Sequence, residues 1–103
     1  MNRFDDIRKW GSDRNIIQGT RPEKQFIKLM EEIGELAEGL AKNKPELIKD
    51  GIGDSVVVLV MVAAQCGLTI EECIEEAWQT IKDRKGRMID GIFVKEADLP
   101  KEG

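Results

Sequence analysis

Between Ser55 and Ala64 the chain reads SVVVLVMVAA, ten residues with no charge on any face. In a sequence of which 35% is charged, such a segment has to be surrounded by protein, and it predicts the central element of the fold. The β-branched VVVLV would suit a buried parallel strand, but the uninterrupted pattern from Pro45 to Cys66 is far longer than a usual strand. The spacing therefore favours a helix.

The punctuation on either side is helical too. Thr20-Arg21-Pro22-Glu23 and Thr69-Ile70-Glu71-Glu72 each fit a capping box, in which a Thr oxygen accepts from a free N–H and a Glu three residues on accepts in return. Asn43-Lys44-Pro45-Glu46 makes a similar start, with Pro in the first turn, where its missing N–H does no harm. Four helices are expected, about Asn2 to Trp10, Arg21 to Ala41, Pro45 to Cys66 and Ile70 to Lys85, with Gly11 and Gly67 as stops. Beyond them, Asp90-Gly91 lies between Met88-Ile89 and Ile92-Phe93-Val94, the strongest short hairpin signal. The expected fold is all-α and four-helix bundle-like, with a small C-terminal β-hairpin, in one domain over residues 1–103.

Composition narrows the chemistry. A formal charge of −4 and a pI near 4.9 argue against a nucleic-acid binder, which needs a basic surface to neutralise phosphates. The longest uncharged run, Ser55 to Ile70, is too short to span a bilayer and contains Gln65 and Gly67, so no membrane role is expected. Cys66 and Cys73 read as two reduced, buried thiols, and a cytoplasmic location is expected. With no histidine, the commonest general base and the commonest zinc ligand are both missing. Carboxylates, lysines, arginines or a bound ion must carry any reaction.

The carboxylates cluster in two places. In EEIGELAEGL, Glu31 to Leu40, the apolar stripe of the second helix is expected to be Phe26, Leu29, Met30, Ile33, Leu36, Ala37 and Leu40, with Glu32 at its edge. Glu31, Glu35 and Glu38 lie nearly opposite and read first as a solvated face, although Glu35 is a helical neighbour of Glu32. On the third helix Asp50 and Asp54 share a face where the sequence turns from polar to uncharged. Burying Glu32 beside Asp50 and Asp54 costs several kcal/mol per unpaired charge, which a divalent cation would offset. An all-oxygen set suits Mg²⁺ or Mn²⁺, and without a Glu-x-x-His motif it does not suit a di-iron centre.

Glu31-Glu32-Ile33-Gly34-Glu35-Leu36, followed by Asp50-Gly51-Ile52-Gly53-Asp54 before an apolar helix, resembles the MazG-like branch of the all-α nucleoside triphosphate pyrophosphohydrolases. Trp10 with Asp13-Arg14-Asn15, Gln25 with Lys28, and Ile81-Lys82-Asp83-Arg84-Lys85-Gly86 also look like its short phage and bacterial members. The resemblance implies a magnesium-dependent enzyme that cleaves a nucleoside triphosphate to the monophosphate and pyrophosphate. Its metal would be held by ExxE on one helix and ExxD on the next. By that pattern Glu32, Glu35 and Asp54 are metal ligands, while the third acid falls on Gly51 and Asp50, one residue earlier, is the candidate to replace it. Glu35 or Glu38 would orient the attacking water. Asp54, at the entrance to the uncharged helix, is expected to have the least water and to be the least replaceable residue.

Basic residues supply the substrate contacts. Lys82, Arg84 and Lys85 suit phosphates, with Lys82 counted among the catalytic candidates, although cations at a helix end also simply complement its dipole. Lys28 either joins them or only pairs with Glu32, one turn away. Arg14, with Asp13 and Asn15, is a loop candidate for nucleotide recognition, and Trp10 reads as packing, since the chain has five aromatics in all. If Glu32 and Glu35 both bind metal, something must cover the far side of their helix, so a homo-oligomer, dimer or tetramer, is expected. Two other readings stay open: a helical assembly module, and a catalytically lapsed binder of nucleotide or metal.

Overall fold

The computed structural model of the chain describes residues 2–100. Among them are five α-helices, α1 (Arg3–Asp13), α2 (Ile16–Gly19), α3 (Pro22–Ala41), α4 (Pro45–Gln65) and α5 (Ile70–Ile81), then two strands, β1 (Gly86–Ile89) and β2 (Ile92–Lys95), and a 3-10 turn at Glu96–Asp98. The chain is mainly helical with a small antiparallel hairpin, as the sequence predicts. It divides into two compact units, Met1–Cys73 and Ile74–Gly103.

In the first unit α4 is the central helix, and α1, α2 and α3 all pack on it. Its Val58, Val60, Met61 and Ala63 form the core with Leu29 of α3. The uncharged run is not covered on every side, however, because Leu59 stays 40% exposed. α3 and α4 are antiparallel and very close: a Cβ on Gly39 would stand 2.9 Å from Leu47 Cβ, and one on Gly51 only 2.8 Å from Leu36 Cβ. One turn further along, that register sets Glu32 opposite Asp54.

Several expected boundaries move for identifiable reasons. Pro22 and Pro45 sit at the first helical positions, so Arg21 and Lys44 become the N-caps and the Thr20 capping box does not form. Asn43 is not a helix start but the left-handed residue, φ 53°, that ends α3. Lys44 N–H donates to Gly39 C=O at 2.8 Å and Asn43 N–H to Leu40 C=O at 3.3 Å, satisfying the last carbonyls in a Schellman motif. Gly67, φ 76°, ends α4 in the same way, as expected. The Thr69 box does form, with Thr69 N–H to Glu72 Oε1 at 2.6 Å and Glu72 N–H to Thr69 Oγ1 at 3.1 Å. An unforeseen box, Asn2 with Asp5, starts α1.

α1 also runs past Gly11, which is buried inside the helix where any Cβ would overlap the thioether of Met61. Arg8 ties α1 to the first turn of α5, bonding Glu71 at 2.6 and 2.8 Å and Asp5 at 2.6 Å. Cys66 and Cys73 are free thiols, but Cys66 is exposed and Cys73 half-buried rather than both buried.

The largest difference lies on α3. Its buried residues are Leu29, Glu32 and Gly39, while Phe26, Met30, Ile33 and Leu40 of the expected apolar stripe are 43% to 61% exposed. The packed face is rotated toward the glutamate, because Gly39 and Gly51 let the backbones of α3 and α4 meet on that side.

In the second unit α5 ends at Ile81, four residues before the expected Lys85, and the chain then turns into β1. The strands pair from Gly86 with Lys95 to Ile89 with Ile92, and Asp90 (φ 51°) and Gly91 (φ 80°) make the left-handed two-residue turn that such hairpins require. Among the described residues, no single helix is long and apolar enough to cross a membrane.

Candidate functional site

A cavity of about 420 Å³ opens in the first unit, where α1, α2, α3 and α4 meet. α4 gives it a floor of Val57, Val58 and Met61, with Asp54 at one end. α3 contributes Gln25, Lys28 and Glu32, one helical row along its inner side. Trp10 and Ile16 make the remaining wall. A second hollow of about 410 Å³ shares Trp10, Asp54 and Val57 and adds Asp6 and Ile7.

Glu32 is the unusual member. It is only 6% exposed, Oε1 meets Lys28 Nζ at 3.2 Å, and Oε2 is buried with no hydrogen-bond partner. Leaving a carboxylate oxygen in that state is costly unless a proton or a cation reaches it. Asp54 is exposed as a residue, yet its carboxyl is held above its ordinary range, first by partial burial and then by the negative charges of Glu32 and Asp50. A proton on either acid would let the two share a hydrogen bond, which also favours the protonated form, and Lys28 opposes the shift. With both acids ionised there is no hydrogen for them to share. Lys28 is pushed up by its bonds to Glu32 and then Glu31, the latter at 3.3 Å.

The structure thus brings together Lys28, Glu32 and Asp54 and leaves other expected site residues apart. Asp50 is exposed, one turn before Asp54 and close enough for its charge to be felt there. Glu35 is exposed and absent from the cavity wall. Glu38, also exposed, bonds Lys42 at 2.6 Å, which holds its carboxyl below the usual range. Among the described residues, no group of three Asp, Glu or Cys side chains stands ready to hold an ion. Arg14 lies with its guanidinium 4.6 Å from the centre of the Trp10 ring and donates to Trp10 C=O at 3.1 Å. Lys82, Arg84 and Lys85 belong to the second unit, exposed on the connection from α5 to β1.

Residues 21–88, about two thirds of the chain, match the MazG nucleotide pyrophosphohydrolase domain. The chain belongs to that family. The MazG match includes Lys28, Glu32, Asp50 and Asp54, and Trp10, Arg14 and Ile16 precede it. A 60-residue stretch is 58% identical to an "Uncharacterized 18.2 kDa protein in rep-hol intergenic region" of Haemophilus phage HP1 (strain HP1c1). That match covers 58% of this chain and 37% of the phage protein. No solved structure matches the chain.

The MazG pattern also gives Gly51 a physical reading. A side chain there would meet not the cavity but α3, 3.0 Å from Leu36 Cα, so an acid at 51 has no room in this helix pair. Asp50 stands beside it in the open. Sequence reasoning took Trp10 for packing only and passed over Ile16. The clue for Trp10 was Arg14 one turn later, since an arginine four residues from an aromatic on a helix can cover its ring. Ile16 carried no comparable signal.

Proposed function

We propose that this MazG domain is a divalent-cation-dependent nucleoside triphosphate pyrophosphohydrolase, converting an NTP or dNTP and water to the monophosphate and pyrophosphate. The observation that carries the reading is the buried, unpartnered Oε2 of Glu32, in a cavity that also holds Asp54 and Lys28. A catalyst of anhydride hydrolysis needs an electropositive centre, and here acid groups stand together where a divalent cation would relieve them. The donors are hard oxygens, so Mg²⁺ or Mn²⁺ fits. Glu32 and Asp54 would hold it, with Asp50 and Glu35 completing the set as their side chains swing in. Such an ion supplies charge neutralisation for the phosphates and makes water more acidic.

The chain's own groups do the rest. Lys28, on a flexible and 54% exposed stem, can turn from Glu31 and Glu32 to a phosphate oxygen at the cavity mouth. Arg14 does the same from its perch on Trp10. Lys82, Arg84 and Lys85, exposed in the second unit, are kept as candidate phosphate-binding residues, with Lys82 also the catalytic candidate among them. Glu35 is the candidate to orient water. Glu38, already paired with Lys42, is the weaker one.

The working form is a homo-oligomer, dimer or tetramer, in the cytoplasm, with neither nucleic acid nor membrane as partner. The exposed row Phe26, Met30, Ile33 and Leu40 supports this, because an apolar helix face of that length is usually covered by another chain. The whole chain would act as one functional domain.

A panel of nucleoside triphosphates with Mg²⁺, assayed for pyrophosphate and monophosphate, tests the activity; release of orthophosphate and diphosphate would reject it. One observation favours a second reading, binding without turnover: among the described residues no three acids are gathered around an ion position. Stabilisation by Mg²⁺ or Mn²⁺ against EDTA, with no product from any triphosphate, would select it.

A further inference from the structure

α2 is a single turn, Ile16–Gly19, entered through the left-handed Asn15 (φ 58°) with no side-chain cap. A helix this short has no stability of its own in water. Gly19 N–H donates to Asn15 C=O at 3.0 Å to close the turn, and Gln18 Nε2 donates to Ser12 Oγ at 3.2 Å. Yet α2 carries Ile16, a wall of the cavity. What fixes it comes from the core helix. Gln65, in the last turn of α4, donates from Nε2 to Ile16 C=O at 3.2 Å and to Thr20 C=O at 3.3 Å, one bond at each end of the turn. Both amide protons are thereby used, and the orientation is not arbitrary, because a flipped amide would set its oxygen against two carbonyls. The amide oxygen Oε1 is buried without a partner, so the side chain is kept there for its donors. Gln65 also follows Met61 by one turn, on the row of α4 that begins at Asp54 and floors the cavity.

We propose that Gln65 is a positioning residue, a two-pronged anchor that fixes α2 and through Ile16 sets the width of the substrate cavity. It touches no substrate. It decides how tightly a ligand is gripped between Ile16 and the acidic end, and so acts on KM rather than kcat. The anchoring stands on the geometry alone; the effect on KM rests on the pyrophosphohydrolase reading.

Two variants separate the donors from the bulk. Gln65→Met keeps length without a donor, and Gln65→Glu puts carboxylate oxygens against the two carbonyls. Hydrogen exchange on the full chain is expected to quicken at Gly19 in both while amides of α3 and α4 keep their protection. In the triphosphate assay KM should rise about tenfold, the equivalent of roughly one lost hydrogen bond, with kcat within about twofold. On an Ile16→Ala background, which opens the wall directly, Gln65→Met should add little further, because the two act through one element. Unchanged exchange at Gly19 would overturn the anchor whether or not the protein turns over. A uniform loss of protection, or equal falls in kcat and kcat/KM, would overturn the positioning role in favour of a general stability role. If no triphosphate is hydrolysed, the functional reading fails and the exchange measurement still decides the anchor.

Discussion

Two rows of the same helix are built the wrong way round for an isolated chain. The inner row of α3, Gln25, Leu29, Glu32, Leu36 and Gly39, is the packed one and contains a glutamate. The outer row, Phe26, Met30, Ile33, Ala37 and Leu40, holds more apolar surface and stays exposed. Were burial of hydrocarbon the only consideration, the helix would rotate and bury the outer row. What prevents it is shape, because Gly39 and Gly51 allow an approach on the inner side that no larger residue would permit. The inner row is thus committed to a polar cavity, and the outer row stays exposed, the face through which the proposed oligomer would form.

The hardest way to break that arrangement is to refill Gly51. Gly51→Glu would restore the acid of the MazG pattern, but its side chain must start within 2.8 Å of Leu36 Cβ in a buried contact. The expected outcome is a loss of about 3–5 kcal/mol, from overpacking together with an unpaired buried charge, and no gain in hydrolysis. Gly51→Ala should cost about 1–3 kcal/mol for the overpacking alone. Urea unfolding of both variants checks this, and a well-folded, more active Gly51→Glu would show that α3 and α4 can part.

Next in size is the loss of the buried charge. Glu32→Gln keeps the shape and should lower hydrolysis by about 10²–10³-fold, since it removes the acid that has no other partner for Oε2. It should also abolish stabilisation by Mg²⁺ or Mn²⁺, while in EDTA the variant melts no lower than the parent, because an unsatisfied charge is gone. Asp54→Asn should follow the same pattern more weakly, as the more exposed of the two. Thermal melts with and without metal, beside steady-state rates, give the ranking.

That ranking departs from the one the sequence predicts because Glu32, not Asp54, is the acid with the least water, and the difference shows where legibility ends. Periodicity, the two N-terminal prolines, the Thr69 box and Asp90-Gly91 announced most of the elements, since each is a local rule acting within a few residues. The pairing of Glu32 with Asp54 was readable too, from two acidic segments at the margin of apolar ones. Which acid would be the drier was not, because it depends on the rotation of α3, and that is set by glycines on two different helices meeting in space. α2 and the role of Gln65 were hidden for the same reason. A one-turn helix has no period, and a glutamine at the end of an apolar run looks like a simple polar terminus.

On the outer row the expected effects are on assembly. Ile33→Glu or Met30→Glu places a charge on a surface already 43% to 46% exposed, so the stability of a lone protomer should change by no more than about 0.5 kcal/mol. Sedimentation should nevertheless show the oligomer dissociating, with hydrolysis falling at high dilution. A parent chain that is monomeric at micromolar concentration would mean that the outer row has no partner in a second copy.

The smallest expected effect is the most discriminating, because it opposes two carboxylates of the same unit. Glu71 is held down to about 2, first by its hydrogen bond from Arg8, against an ordinary value of 4.5. Its ion pair therefore favours the folded state at neutral pH, and that contribution fades as pH falls from about 4.5 toward 2. Asp54 is shifted the other way, up from 3.8, so its ionised form opposes folding at neutral pH and the opposition vanishes once pH falls below 3.8. Glu71→Gln should accordingly melt below the parent at pH 7, with the gap closing toward pH 2. Asp54→Asn should melt above it at pH 7 in EDTA, with the gap closed by about pH 3. Melting curves across pH 2–8 would display the two differences as opposite in sign and shrinking together on acidification. Gaps of the same sign would mean that Asp54 is held by a donor, not crowded by Glu32, and the inner row would lose its claim to a cation.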